Sequence, residues 1–142
     1  MTHRFLIFVI AGGFLLNAGW TAAQDVPQKG KGIGPITEVK LGPIDVQMAQ
    51  AGGKTFDTKC AVCHSLDAKK LGPPLRDVAR GRAPEWIMNL LLNVNEMLAN
   101  DPEASKLRAQ YPLRMTDQQL KQDEARQILE YLRQAAQGQA GK

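Results

Sequence analysis

Side chains that bind metals or form cross-links are scarce in this chain of 142 residues, which contains two cysteines and two histidines. Two cysteines cannot form the network of disulfide bonds that holds many small secreted proteins together. A structural zinc site takes four ligands, and the chain offers two thiolates and His64. The second histidine, His3, lies in a segment that we expect to be removed. These shortages argue against a disulfide scaffold and against a zinc site.

Aromatic residues and net charge are also low, at 6% of the chain and +4 at pH 7. A mildly basic chain without a basic stripe is unlike a nucleic-acid-binding protein, so we expect no nucleic-acid partner. The size indicates one domain. With few aromatic side chains, a bound apolar group would help to build its core.

Long apolar runs are absent except at the N-terminus, where Phe5 to Trp20 follow the basic residue Arg4. This run is shorter than the ~20 apolar residues that cross a bilayer as a helix. A basic start, an apolar stretch and small residues up to Ala23 predict a secretory signal peptide over 1–23. The alternative is an uncleaved N-terminal membrane anchor.

The chain does contain the run Cys60-Ala61-Val62-Cys63-His64, which uses both cysteines. Cys-x-x-Cys-His is the attachment site of a c-type haem. Each thiol can add across one vinyl group of the porphyrin, and the histidine can bind the iron. We therefore predict one covalent haem c, held by Cys60 and Cys63, with His64 as an iron ligand. The rival interpretations are a strained disulfide and a thioredoxin-like dithiol, which expects a βαβ pattern that the sequence lacks.

Export and the haem motif support each other, because covalent haem attachment in bacteria takes place outside the cytoplasm. We therefore expect a periplasmic protein, which would contact a membrane only if the N-terminal segment is retained.

Apolar periodicity predicts an all-α domain over 46–136, with three to four helices and long loops. The last helix could instead begin at Thr116, with Gln119 as its capping-box partner. The paired Gly52 and Gly53 weaken a helix and therefore indicate the close approach of another one. The predicted helices cover 46–59, 84–99, 102–109 and 122–136, with an irregular segment over 66–81.

The two ends of the chain are rich in residues that break helices. Glycine and proline recur through 24–45, which predicts an extended N-terminal arm. Spaced aliphatic residues in its second half indicate contact with the domain surface, and a disordered tether is the alternative. We expect 137–142 to form a flexible tail.

Together these features resemble a small soluble bacterial cytochrome c of the monohaem class I type, with histidine and methionine ligands. The resemblance covers about 46–133 and implies a cytochrome c fold wrapped around one haem. It also implies that the carbonyl of Pro73 accepts a hydrogen bond from His64, which would orient the imidazole. Four segments carry it, in the family's order: Gly52-x-x-x-Phe56-x-x-x-Cys60, Cys60 to His64, Gly72-Pro73-x-Leu75 and Ile128-x-x-Tyr131-Leu132.

The sixth iron ligand is predicted to be Met115, so that the metal ligands are His64 and Met115. Met115 lies in a proline-containing loop before the last helix, 51 residues after His64. Met48 precedes the haem motif, and Met88 and Met97 fall in an apolar helix, where core packing is the commoner role. Met97 is the main alternative, and a vacant sixth site is the other.

With both axial positions filled, the iron can only gain and lose an electron. We therefore predict a periplasmic one-electron carrier and not an enzyme. The alternative is a haem subunit, or a peroxidase-like or sensor-like protein whose sixth site opens to a ligand. The expected partners are a redox protein donor and acceptor that dock transiently by electrostatic steering. A basic rim could serve this docking, or be an ordinary charged surface: Lys54, Lys59, Lys69, Lys70 and Arg114.

Other side chains have two interpretations each. Trp86 could donate its indole N–H to a haem propionate or pack in the core. Arg76, Arg80 and Arg82 could pair with a propionate or remain solvated.

Overall fold

The computed structural model describes residues 30–138. The predicted signal peptide, the start of the arm and residues 139–142 of the predicted tail lie outside the described residues. The described part contains six helices and no strand, so the all-α prediction is confirmed and the predicted number of helices is too low. The helices are α1 (Val46–Lys59), α2 (Val78–Gly81), α3 (Pro84–Leu92), α4 (Val94–Asn100), α5 (Pro102–Arg108) and α6 (Gln122–Gln137).

The single helix predicted over 84–99 is wrong, because the chain breaks at Asn93 into α3 and α4. Asn93 has φ −140° and ψ 45°, outside the helical region. Its side-chain amide donates to the Ile33 carbonyl (3.3 Å) and to the Glu96 carboxylate (2.8 Å). The break therefore coincides with a contact to the N-terminal arm. The apolar periodicity of the helix gives no sign of such a contact. The segment predicted to be irregular ends in the four-residue helix α2.

The start of α6 is set by its first turn. The backbone N–H of Lys121 donates to the Glu124 carboxylate at 2.8 Å, and Asp123 and Glu124 place negative charge at the positive end of the helix. The alternative start at Thr116 is wrong. Gln119 has φ +50°, in the left-handed region, and a right-handed helix cannot continue through it.

Helices α1 and α6 pack in direct contact, as the glycine pair predicts. A Cβ atom at Gly52 would overlap the backbone carbonyl of Gln127, so only glycine allows this approach. The rings of Phe56 and Tyr131 lie 5.2 Å apart at 45°, next to the crossing. The side chains of α6 that are buried against its neighbours include Ala125, Ile128, Leu129 and Leu132.

The described part of the N-terminal arm, 30–45, is built into the fold. Ile36 belongs to the core and is 6% exposed. Asn89, which is 1% exposed, accepts from the Ile36 N–H (2.9 Å) and donates to the carbonyls of Ile36 (2.9 Å) and Lys31 (3.0 Å). The Val39 N–H donates to the Glu85 carboxylate at 3.0 Å. These contacts contradict the tether alternative for this part of the arm.

A buried ion network fastens the end of the arm to α6. Glu130 is fully buried and accepts from both Arg126 and Arg133. Arg133 also donates to the Gly42 carbonyl at 2.8 Å. Since a buried carboxylate without partners is costly, the two arginines stabilise this charge. Of the helices between residues 30 and 138, none has the length and apolar character that a membrane span requires.

Candidate functional site

A cavity of about 810 Å³ is lined by residues of all six described helices and of the loops that follow α1 and α5. Its volume falls within the roughly 300–1,000 Å³ that is usual for cofactor pockets. Its walls are mostly apolar, so it suits a large flat apolar group. The aromatic and aliphatic residues of the wall include Phe56, Leu66, Leu75, Ile87, Leu90, Leu91, Leu98, Ile128 and Leu132.

Cys60, Cys63 and His64 all line this cavity, because α1 ends in a tight turn at the motif. The backbone N–H groups of Cys63 and His64 both donate to the Cys60 carbonyl, at 3.1 and 2.9 Å. Both thiols are free, and burial raises the pKa of Cys60 to about 11. A thioredoxin-like dithiol depends on a lowered pKa, so the environment of Cys60 argues against that chemistry.

The imidazole of His64 is held by the loop that follows it. Its Nδ1 lies 3.0 Å from the carbonyl oxygen of Pro73, the contact that the resemblance implies. Because a carbonyl only accepts, Nδ1 carries the hydrogen, and Nε2 keeps the lone pair that a metal needs. Gly72 packs against the ring, where an added Cβ would overlap Cε1 of His64. The Gly72 N–H donates to the Cys63 carbonyl (2.9 Å), which fixes the loop to the motif.

The four methionines of the described chain have different surroundings. Met115 is half-buried and lines the same cavity as His64. Met97 is fully buried, and its sulfur accepts a hydrogen bond from the Ile33 N–H at 3.0 Å. Met48 and Met88 line a separate cleft of about 530 Å³. Among residues 30–138, Met115 is thus the one methionine that shares a cavity wall with His64.

The indole of Trp86 already has a partner inside the protein. Its Nε1 donates to Asp101 at 3.0 Å, and the side chain is 2% exposed. These contacts favour a core tryptophan over one that donates to a haem propionate. Arg82 lies 4.7 Å above the Trp86 ring and pairs with Glu103 at 2.9 Å.

The solvated interpretation does not describe Arg76 and Arg82, whose side chains are 21% and 15% exposed. Arg76 pairs with Asp67 and lines the cavity, as Arg82 does. Arg80 pairs with Asp77 and does not line the cavity. Two of these three arginines are therefore positioned on the cavity wall.

Several features of the cavity edge were not predicted from the sequence. Leu71 and Leu113 line the cavity and are 42% and 54% exposed, and Val62, between the two cysteines, is 76% exposed. The position of Val62 between the two cysteines is a sequence signal that could have identified this exposed apolar side chain. The basic side chains also contact neighbouring segments. Lys59 donates to the Gln118 carbonyl (3.2 Å) and Lys70 to the Ala61 carbonyl (2.7 Å). Lys69 lies 4.9 Å from the centre of the Tyr111 ring, and Arg114 donates to the Asn95 side chain (3.0 Å).

The cavity's chemistry fits a covalent haem. Two thiols lie on one wall beside an imidazole whose free nitrogen suits iron, and a thioether sulfur lines the cavity as well. In the described part of the chain, no group of three or more histidine, cysteine, aspartate or glutamate side chains is arranged to hold a metal ion by itself. The family model for cytochrome c matches residues 49–136. The chain belongs to the cytochrome c family. Membership implies a covalent c-type haem and haem-based electron transfer.

Solved structures support the same family and fold. A cytochrome c from Rhodothermus marinus is 47% identical, with a TM-score of 0.73, over 75% of this chain and 92% of that one. An engineered form of that cytochrome, described as bound to a carbene intermediate, is 45% identical, with a TM-score of 0.68, over 73% and 91%. The cytochrome c domain of a Pseudomonas putida protein is 30% identical, with a TM-score of 0.57, over 64% and 95%. The comparison with curated proteins returned no match.

These matches confirm a small monohaem class I cytochrome c with the cytochrome c fold.

Proposed function

We propose that this cytochrome is a periplasmic one-electron carrier, whose haem is attached to Cys60 and Cys63 and whose iron is bound by His64 and Met115. The observation that carries the proposal is the position of the methionines. Met115 lines the cavity with His64, whereas the sulfur of Met97 is occupied by the backbone of the arm.

The protein's contribution to electron transfer is to fix the ligands and exclude water. When bound, the haem supplies a one-electron couple at its iron. The Pro73 carbonyl holds the hydrogen on Nδ1 of His64, which orients the ring and raises the basicity of its other nitrogen. The soft sulfur of Met115 would favour the ferrous state and raise the potential. If His64 and Met115 both bound the iron, no position would remain on it for a substrate, which supports a carrier and not an enzyme.

The cavity edge supports a docking site for redox proteins. Apolar Val62, Leu71 and Leu113 are exposed beside the basic rim. Small patches of this kind suit brief encounters that charge accelerates. The partners would be a donor and an acceptor with acidic surfaces, and their association should slow as salt increases. Periplasmic location rests on the predicted signal peptide, and membrane contact would require that this segment be retained.

The test is a pair of methionine variants of the exported holoprotein. Met115→Ala should abolish the sulfur-to-ferric-iron charge-transfer band and open the iron to cyanide. Met97→Leu, which keeps the core volume, should retain the band. Retention of the band in Met115→Ala, with its loss in Met97→Leu, would show that Met97 and not Met115 binds the iron. Loss of red colour on acid–acetone extraction would contradict the thioether bonds.

A second candidate function is a haem protein whose sixth site opens to a small ligand. One comparison favours it, since the engineered Rhodothermus marinus relative is described as bound to a carbene intermediate. In this chain the loop that carries Met115 would have to move. Rapid cyanide binding by the unmodified oxidised protein would support this candidate, and slow binding would support the carrier.

A further inference from the structure

The loop that carries Met115 is weakly tied to the rest of the protein. We define the Met115 loop as residues 110–120, between α5 and α6. In the part of the chain that the structure describes, its backbone N–H groups bond to backbone only at Gln110 and Tyr111. Further along, the Gln119 N–H donates to the side chain of Asp117 in the same loop (2.8 Å). Side chains must therefore supply much of what holds this loop over the cavity.

The Met115 loop also contains a costly backbone conformation. Gln119 has φ +50°, which a residue with a Cβ atom rarely adopts. Such a conformation persists where the surrounding contacts impose it. A contact next to Gln119 would therefore help to prevent the loop from relaxing away from the cavity.

Lys59 makes that contact from the opposite segment. It is the last residue of α1 and directly precedes Cys60. Its ammonium donates to the carbonyl of Gln118 at 3.2 Å, across 59 residues of sequence. Both Lys59 and Gln118 line the cavity. The only other side-chain hydrogen bond described between this loop and another element joins Arg114 to Asn95 of α4.

We propose that Lys59 is a positioning residue that closes the Met115 loop over the haem cavity. Its bond links the segment that carries the thiols to a carbonyl three residues after Met115. A hydrogen bond from a charged donor is stronger than one between neutral groups. Without it, the loop opens more often and the sixth position is exposed more often. The proposal rests on ligation by Met115 and adds the device that controls access to that site.

The experiment measures cyanide binding to the oxidised mature holoprotein. Lys59→Met keeps a long unbranched side chain and removes the donor, so cyanide should bind about tenfold faster, as expected for the loss of one charge-assisted hydrogen bond. The charge-transfer band should disappear at a lower temperature. Lys59→Arg restores a charged donor and should bind at nearly the original rate. Lys106→Met removes the same charge from an exposed position on α5 and should also leave the rate unchanged.

The outcomes separate this proposal from the proposed function. If Met115→Ala opens the iron but Lys59→Met binds cyanide at the original rate, Lys59 does not position the loop and the carrier proposal stands. Equal acceleration by Lys106→Met would assign the effect to net charge and overturn the proposal. If Met115→Ala retains the band, the ligand assignment itself fails. Lys59→Leu, which also lacks a donor and carries the same expectation, serves if Lys59→Met holds too little haem.

Discussion

Replacement of Asn89 by alanine tests whether the N-terminal arm stabilises the cytochrome. Asn89 lies on α3 and is 1% exposed, and its side chain makes three hydrogen bonds to the arm. Two of these bonds satisfy both backbone groups of Ile36, which is 6% exposed. Asn89→Ala removes all three bonds and leaves the backbone of Ile36 without these partners.

The expected loss of unfolding free energy is at least about 3 kcal/mol, from about 1 kcal/mol for each net hydrogen bond. Desolvated groups left unpaired at Ile36 would add to this value. For a domain slightly above 100 residues, about 4 °C per kcal/mol is usual, so the melting temperature should fall by about 12 °C.

The assay is denaturant and thermal unfolding of the mature holoprotein, followed by far-ultraviolet circular dichroism. Asn89 does not line the haem cavity, so the haem spectrum at low temperature should not change. Limited trypsin digestion should cleave faster after Lys31, because its carbonyl loses the bond from Asn89. Asn100→Ala, at an exposed position, is the control and should change stability by less than about 0.5 kcal/mol.

A loss below about 1 kcal/mol in Asn89→Ala, with unchanged trypsin cleavage, would refute the reasoning. It would mean that the arm does not depend on these bonds. A changed haem spectrum at low temperature would show instead that Asn89 supports the cavity wall.

Two glycine substitutions test the close contacts of the fold and the site. Gly52→Ala should destabilise the protein by about 3 kcal/mol or more, because the new Cβ overlaps the Gln127 carbonyl. Gly53→Ala is the control and should change the melting point little, because its Cβ would meet only the Tyr131 ring at 3.3 Å. Equal effects of the two substitutions would contradict the close crossing of α1 and α6 at Gly52. Gly72→Ala should lower the yield of holoprotein or shift its reduction potential, since the Cβ would displace the His64 imidazole. Gly42→Ala, which has open space around it and lies outside the cavity wall, is the matched control, and similar yields and potentials for both variants would contradict this role of Gly72.

The parts of the fold that were predicted well depend on local information. The helix over 46–59 and the last helix are marked by apolar residues at helical spacing and by their end residues, which belong to the same few turns. The Cys60–His64 motif is also local, since its chemistry needs the thiols and imidazole within one turn. The predicted hydrogen bond from His64 to Pro73 spans nine residues and came from the resemblance to the family.

The features that were missed depend on contacts between distant segments. Asn93 breaks the second helix beside its bond to Ile33, 60 residues away. For the arginines of the cavity wall the sequence left a propionate partner and solvation as the alternatives, yet Arg82 is paired with Glu103 and stacked on Trp86. No periodicity or composition reports such pairings, because they exist only after the chain has folded.

By itself, the sequence determined the chemistry that this cytochrome can perform, because five consecutive residues contain two thiols that can attach a haem and an imidazole that can bind its iron. The sequence favoured Met115 over Met97 by its position in a loop, and only the tertiary structure decided which of them shares a cavity wall with His64. Met97 and Met115 carry the same thioether, so their chemistry does not separate them. Packing does, because the backbone of Ile33 occupies one sulfur in the core, while the other lies on the wall that it shares with His64.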